Sequence, residues 1–74
     1  MLDTIIEIIS RQLGVEPSEI DENTRIVDDL GADSLDIVEM VMAIEQECGV
    51  TIPDEEIMGL QTVGDVVSYV ENHK

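Results

Sequence analysis

Aromatic and basic residues are the scarcest classes in this sequence of 74 residues. It has no Phe or Trp, one Tyr and three basic residues against 18 Asp and Glu, so its formal net charge at pH 7 is −15. With only one aromatic side chain, a stacking platform for single-stranded nucleic acid is not available. The negative charge repels phosphate backbones and anionic lipid headgroups and attracts basic protein surfaces. We therefore expect no nucleic-acid binding, and partners that present basic surfaces.

Cysteine is also scarce, and the sequence has no long apolar run. Cys48 is the only cysteine, so no disulfide can form within the chain, which suits a reducing compartment. The first ten residues, MLDTIIEIIS, carry Asp3 and Glu7 without a basic leader, so they resemble neither a secretory signal nor a membrane span. We expect a cytoplasmic monomer that does not insert into membranes.

The residues that are present predict helices. Hydrophobic residues make up 43% of the sequence and recur with helical spacing, which argues against disorder despite the acidity. The length suits one small domain over residues 1–74. The predicted fold is all-α, a small four-helix bundle of three main helices and one short helix. The helical segments are residues 2–13 ended by Gly14, 34–48 ended by Gly49, a short acidic turn that starts at Pro53 and ends at Gly59, and 62–74 with a capping box between Thr62 and Asp65.

Two regions leave room for alternatives. The β-branched residues Val66, Val67 and Val70 also suit a strand, although the spacing and the cap favour a helix. Residues 16–33 have no sustained period and are long for a loop, which usually means functional use or disorder. We favour an ordered loop, because apolar residues recur along it and can pin it to a core: Val15, Ile20, Ile26, Val27 and Leu30.

The central helix carries two apolar faces when its residues are placed about 100° apart. One face is wide enough to meet a core and includes Ile37, Met40, Val41, Ile44 and Cys48. The second face, which we call the docking stripe, consists of Leu35, Val38 and Met42 with acidic neighbours Asp36, Glu39 and Glu45. Either the long loop buries this stripe, or it stays exposed as a docking face for a partner with apolar and basic side chains.

Ser34 lies where this helix begins. Asp33 is a strong N-cap candidate, with Asp36 placed to reach back in a variant capping box. Ser34 is then the first helical residue, where free amides favour an attached phosphate. On the spacing alone, a serine that only belongs to the capping region is the better interpretation.

Catalytic and metal sites are not indicated. Ser34 has no evident general base, since His73, the only histidine, is expected in a mobile tail. The acidic clusters lack the ligand spacing of a calcium loop, so weak surface binding of cations is the better interpretation. Cys48 falls on the core face and is interpreted as a small buried hydrophobe. We predict no catalytic residues and no metal site.

The motif DLGADSLD, followed by VEMVMAIEQE, IPDEE and TVGDVV, resembles the acyl carrier proteins of dissociated fatty acid synthesis across essentially the whole chain. The resemblance implies a four-helix bundle whose motif serine, here Ser34, carries 4′-phosphopantetheine. A phosphopantetheinyl transferase attaches this arm from coenzyme A, and its terminal thiol holds acyl chains as thioesters. The resemblance assigns partner recognition, by basic surfaces of fatty acid synthesis enzymes and acyltransferases, to residues beside the serine: Asp33, Leu35, Asp36, Val38, Glu39, Met42 and Glu45.

The resemblance also implies an apolar cavity for the acyl chain, with Ile44, Ile52, Ile57 and Val66 as its candidate lining. The chain departs from the family at Cys48, where many relatives have Phe, and at Gln46, where an acid is common. Gly59 loosens the stretch after the short helix. None of these departures touches the Ser34 motif.

Two other functions stay open on the sequence. One is a carrier for another pathway, such as polyketide, aminoacyl or lipid A precursor supply, and the cargo and chain length are not decided. The other is an interaction module that binds basic peptides with Ser34 unmodified. An enzyme is the least supported class, because the chain lacks a base, metal ligands and a phosphate loop.

Overall fold

The computed structural model describes residues 1–73 and confirms the all-α prediction. Among these residues the only β feature is an isolated antiparallel bridge between Arg25 and Thr62. A single 3-10 turn spans Pro17–Glu19. The helices are α1 (Leu2–Leu13), α2 (Ser34–Cys48), α3 (Asp54–Ile57) and α4 (Val63–His73). The last predicted helix reached Lys74, which lies outside the described residues.

Helix α1 is the centre of the bundle. It packs against both α2 and α4, and the side chains of Ile5, Ile8 and Ile9 are fully excluded from solvent. Burial of an aliphatic side chain of this size contributes about 1.5–3 kcal/mol to folding. The partners across the core are the predicted face of α2, with Met40, Val41 and Ile44 buried, and the valines of α4, Val63, Val66 and Val70.

Three helix ends agree with the sequence prediction: the C-termini of α1 and α2 and the N-terminus of α4. Gly14 and Gly49 take the left-handed conformation, with φ of 68° and 69°, which glycine adopts without a steric cost. Before α4, the Asp65 amide donates to Thr62 Oγ1 and the Thr62 amide donates to Asp65 Oδ2, both at 3.1 Å. This capping box, together with the helical backbone of α4, excludes the strand alternative.

The short helix differs from its prediction. Pro53 is the N-cap residue of α3 and not its first helical residue, because its ψ of 150° keeps it extended. Gly59 does not end the helix in a left-handed conformation: α3 ends at Ile57, and the capping residue Met58 is right-handed. The helix has only four residues and no fully buried side chain, and it packs against the core through the half-buried Ile57.

The loop between α1 and α2 is ordered against the core, as expected, but one of its predicted anchors is wrong. Ile20 and Ile26 are buried, whereas Val27 is 53% exposed. The backbone supplies a tie that the apolar pattern did not indicate. The Ile26 amide donates to Gln61 O at 2.9 Å, and the Val63 amide donates to Thr24 O at 3.0 Å. The loop is therefore bound to the start of α4.

Two further expectations need correction. His73 is not in a mobile tail: it ends α4, its ring stacks on Tyr69 with centroids 4.0 Å apart, and its Nδ1 donates to the Tyr69 carbonyl at 2.9 Å. The hydroxyl of Tyr69 in turn donates a hydrogen bond to the Thr51 carbonyl oxygen at 3.4 Å. Cys48 is half-buried at the edge of the core and not fully enclosed.

Gly64 is required by the close approach of the loop to α4. Its amide donates to Glu22 O at 2.8 Å, and a Cβ built on Gly64 would lie 2.9 Å from the same oxygen. That oxygen belongs to the backbone, so the loop has to shift if a side chain is added. We expect Gly64→Ala to lower the free energy of unfolding by about 1–3 kcal/mol, as overpacking usually does. Urea unfolding monitored by circular dichroism measures this loss.

The matched control is Gly59→Ala. The nearest atom to a Cβ at Gly59 is 3.5 Å away, and the backbone there is not left-handed. This variant is expected to stay within about 0.5 kcal/mol of the original chain. Equal stability of the two variants would contradict the close-approach interpretation.

Candidate functional site

Ser34 is the first residue of α2, as predicted, and the helix start is built by its neighbours. The Asp36 amide donates to Asp33 Oδ1 at 2.9 Å, and the Asp33 amide donates to Asp36 Oδ2 at 3.3 Å. Asp33 thus acts as the N-cap and completes the predicted capping box with Asp36. The amides of Ser34 and Leu35 have no acceptor within the helix, since they belong to its first turn.

The hydroxyl of Ser34 is left available by this arrangement. The residue is exposed, and among the described residues its Oγ makes no side-chain hydrogen bond. A phosphate attached there would lie at a helix N-terminus, where free amides and the helix dipole favour negative charge.

The docking stripe is exposed, so the alternative in which the long loop buries it is wrong. Leu35, Val38 and Met42 are 65%, 49% and 54% exposed. Their acidic neighbour Glu39 is exposed, and Asp36, whose carboxylate takes part in the capping box, is half-buried. Adjacent apolar side chains with acidic edges can contact a partner that is itself apolar and basic.

Glu45 has a structural contact that the helical wheel did not reveal. Its Oε2 accepts a hydrogen bond of 2.8 Å from the amide of Ile52, in the segment between α2 and α3. A carboxylate in the last turns of a helix can accept a hydrogen bond from an amide of the loop that follows. The sequence alone does not show which amide donates it. Glu45 therefore lies on the edge of the docking stripe and also tethers the chain that leads to α3.

An open cleft of about 660 Å³ adjoins Ser34. Its lining is largely apolar and comes from the loop, from α2 and from the α3 region: Arg25, Val27, Asp28, Ser34, Ile37, Val38, Asp54, Ile57, Met58, Leu60 and Gln61. Val27 and Met58, which is 86% exposed, were not among the predicted site residues. Among the described residues, every large exposed hydrophobic side chain belongs either to the docking stripe or to this cleft. Val38 belongs to both, so the two form one surface.

The four residues predicted to line an acyl cavity do not lie together: three are in the core and one lines the cleft. Ile44, Ile52 and Val66 are buried in the core, with exposures of 0%, 4% and 0%, and they do not line the cleft. Ile57 is half-buried and does line it. Sequence reasoning placed all four in one cavity because it had only their apolar character to use.

Arg25 is the cation of the cleft, and its carboxylate partners lie beside it. The Arg25 amide, Nε and Nη2 donate to the Asp29 carboxylate at 2.8, 3.4 and 3.2 Å, and Arg25 Nη1 is 3.7 Å from Asp28 Oδ2. The backbone amide of Arg25 first, and its guanidinium next, hold the pKa of Asp29 below its ordinary value. These contacts close the turn that leads the chain towards Ser34.

The described residues were also compared with the requirements of a metal site and of a membrane-spanning helix. No group of three or more His, Cys, Asp and Glu side chains is arranged there to hold a metal ion. None of the helices in residues 1–73 has the length and apolar character that crossing a bilayer requires.

Comparison with known proteins gives a consistent result. The family described as "Phosphopantetheine attachment site" matches residues 3–70. The chain is 51% identical over 74 residues to the acyl carrier protein of Wolinella succinogenes, covering 100% of this chain and 97% of the relative. It is 53% identical over 72 residues to that of Zymomonas mobilis, covering 97% and 92%. A solved structure of the acyl carrier protein from Enterococcus faecalis superposes with a TM-score of 0.83 at 34% identity, covering 99% of this chain and 92% of that one.

The Arg25–Asp29 contact predicts a pH-dependent contribution to stability. A carboxyl whose pKa is lowered in the folded state stabilises the fold above its unfolded pKa, and this contribution is lost as the pH falls through the folded pKa. We expect Asp29→Asn to lower the thermal midpoint at pH 7, and the difference from the original chain to vanish as the pH falls below the pKa of Asp29. Thermal unfolding followed by circular dichroism from pH 7 to acid measures this.

Asp28→Asn serves as the control, because Asp28 has one 3.7 Å contact with Arg25 and both side chains are well exposed. Exposed ion pairs of this kind contribute little. A difference for Asp29→Asn that stays constant with pH would rule out the ionised carboxylate of Asp29 as its cause.

Proposed function

The chain belongs to the acyl carrier protein family, and we propose that it carries growing fatty acyl chains as thioesters on a 4′-phosphopantetheine arm attached to Ser34. It is a carrier and not an enzyme, so the chemistry on the cargo belongs to its partners. We further propose that residues 1–74 act as one acyl-carrier domain, monomeric and cytoplasmic.

The observation that carries the proposal is the position of Ser34. Its hydroxyl is exposed at the N-terminus of a long helix and beside an apolar cleft, within the region matched by the phosphopantetheine attachment family. Asp33 and Asp36 perform the capping, so the hydroxyl of Ser34 has no part in holding the helix start. The residues fit the proposed arm, which needs a free hydroxyl, room for an anionic phosphodiester and a neighbouring apolar surface.

The attachment reaction needs an outside base. The Ser34 Oγ forms the new phosphodiester with the pantetheine phosphate of coenzyme A, and the nucleotide part leaves. A phosphopantetheinyl transferase supplies the base that deprotonates the serine, since an unactivated hydroxyl is a weak nucleophile. Once bound, the arm supplies a terminal thiol that holds the acyl group as a thioester, and tethering keeps the cargo at a high effective concentration near each enzyme.

Partner enzymes are proposed to dock on the surface beside Ser34. The docking stripe offers apolar contacts through Leu35, Val38 and Met42, and its carboxylates pair with basic side chains of the transferase, the fatty acid synthesis enzymes and acyltransferases. Exposed methionine suits this role, because its flexible thioether chain adapts to different partners. The acidic residues proposed to contact these partners are Asp33, Asp36, Glu39 and Glu45.

The cleft extends the proposed surface towards the cargo. Val27, Ile57 and Met58 place apolar side chains next to the attachment serine, which favours an apolar acyl chain over a polar cargo. An enclosed cavity among Ile44, Ile52 and Val66 stays a prediction, since these residues are packed within the core. We propose that the open cleft is the part of the protein that the arm and its acyl group meet first.

Loading with the arm tests the attachment site. After incubation with coenzyme A and a broad-range phosphopantetheinyl transferase, the original chain is expected to gain one phosphopantetheine group, and Ser34→Ala none. Intact mass spectrometry measures the adduct. The controls are Ser18→Ala and Ser68→Ala, which remove other exposed serine hydroxyls and should load normally. Loading of Ser34→Ala, or no loading of the original chain, would contradict the proposal.

A charge reversal tests the docking stripe. Glu39 is exposed on the stripe and has no hydrogen bond to the backbone among the described contacts, so Glu39→Lys changes the surface charge without removing a structural contact. We expect its affinity for the transferase to fall about tenfold at low salt, with a smaller difference at high salt. Titration calorimetry at two ionic strengths measures both effects.

The control for this variant is Glu71→Lys, which makes the same change in net charge at an exposed position of α4 outside the stripe. Equal losses for the two variants would mean that overall charge, and not the stripe, attracts the partner.

A further inference from the structure

We propose that Arg25 is a positioning residue for the arm: the free edge of its guanidinium binds the phosphodiester that joins the arm to Ser34, and so holds the first atoms of the arm against the cleft. This inference rests on the proposed attachment of the arm to Ser34. It adds a specific cation for an anion that would otherwise lie among carboxylates.

The first observation is the charge of the cleft. A phosphodiester at Ser34 adds a further negative charge to a chain whose formal net charge is already −15. Asp28 and Asp54 line the cleft, and Arg25 is the basic residue among the described lining residues. Because a neighbouring cation lowers the energy of an anion and a neighbouring carboxylate raises it, Arg25 is the side chain of this lining that can offset the added charge.

The second observation is that the turn before α2 brings the arginine and the serine together. The Ala32 amide donates to the Ile26 carbonyl at 3.3 Å. Ile26 directly follows Arg25, and Ala32 lies two residues before Ser34. The chain therefore folds back on itself between the arginine and the serine, and both residues line the same cleft.

The third observation is that only one edge of the guanidinium is occupied. Arg25 Nε and Nη2 donate to the two carboxylate oxygens of Asp29, at 3.4 and 3.2 Å. Arg25 Nη1 lies 3.7 Å from Asp28 Oδ2, which is beyond hydrogen-bond distance. Among the described residues, the second edge of the planar group, formed by Nη1 and the outer N–H of Nη2, thus has no hydrogen-bond acceptor.

A free guanidinium edge matches a phosphodiester in shape and in charge. Two parallel N–H groups of arginine fit two phosphate oxygens, and the hydrogen bonds are strengthened by the opposite charges. The contacts with Asp29 orient the guanidinium before any phosphate is present, so less side-chain freedom is lost on binding. The side chain of Arg25 is 59% exposed, so an anion reaches it without displacing core residues.

NMR spectroscopy of the chain before and after loading tests the contact directly. The sequence contains two arginines, Arg11 and Arg25, so their Nε–Hε signals are readily told apart. Loading is expected to shift the Arg25 signal and to leave the Arg11 signal in place, because Arg11 pairs with Glu47 at 2.7 Å and does not line the cleft. The phosphorus signal of the arm is expected to move in Arg25→Gln and not in Arg11→Gln, which makes the same change in net charge.

Thermal unfolding of the unloaded and loaded forms measures whether the contact stabilises the loaded chain. The change in midpoint on loading is expected to be about 2–6 °C less favourable in Arg25→Gln than in the original chain, with a smaller difference at high salt. Each variant is compared with its own unloaded form, so the loss of the Asp29 contact itself cancels. Arg11→Gln should respond to loading as the original chain does. Arg25→Lys keeps the charge without the fork and should lie between.

Asp29→Asn separates a contact with the arm from a loosened turn. It removes the ionised partner of Arg25 but keeps the guanidinium, so loading should change its midpoint nearly as in the original chain. A response equal to that of Arg25→Gln would mean that the turn, and not the cation, supports the arm, and would overturn the proposal.

An Arg25 signal that does not shift, in a chain whose mass shows the arm on Ser34, would also overturn the proposal and leave the attachment site intact. If the original chain gains no arm at all, the proposed function fails and the role of Arg25 fails with it.

Discussion

The packing of the α1 isoleucines between α2 and α4 is the interaction on which the rest of this structure depends. The chain has no Phe or Trp and a net charge of −15, so the burial of aliphatic side chains has to offset most of the mutual repulsion of its carboxylates. Ile5, Ile8 and Ile9 are completely buried and belong to the helix that contacts both of the other long helices. This core buries one face of α2, while the docking stripe on another face of the same helix stays exposed.

The position of Ser34 follows from two further constraints on the loop. Backbone hydrogen bonds join the loop to residues just before and at the start of α4, and the contacts between Arg25 and Asp29 close the turn before α2. The capping box then starts the helix at the serine. The proposed attachment residue is thus located by elements far apart in the sequence, and its own side chain takes no part in placing it.

Much of this arrangement is predictable from local signals. The ends of α1 and α2 follow from Gly14 and Gly49, and the N-cap role of Asp33 follows from its spacing to Asp36. Three other features were not predictable in this way, because they depend on which segments meet in space. They are the need for Gly64, the exposure of Val27 and the hydrogen bond from the Ile52 amide to Glu45. The helical wheel placed Glu45 at the edge of the docking stripe but carried no information about a hydrogen bond to a loop amide seven residues ahead.

The scarcity of aromatic residues has a practical consequence. Tyr69 is the sole tyrosine, and there is no tryptophan, so the near-ultraviolet absorption and intrinsic fluorescence of the chain come from one ring. That ring is stacked on His73, and its hydroxyl lies 3.4 Å from the Thr51 carbonyl, next to the residue whose amide Glu45 holds. The molecule thus contains a built-in optical reporter of the segment before α3, which can be read without attaching a dye to so small a protein.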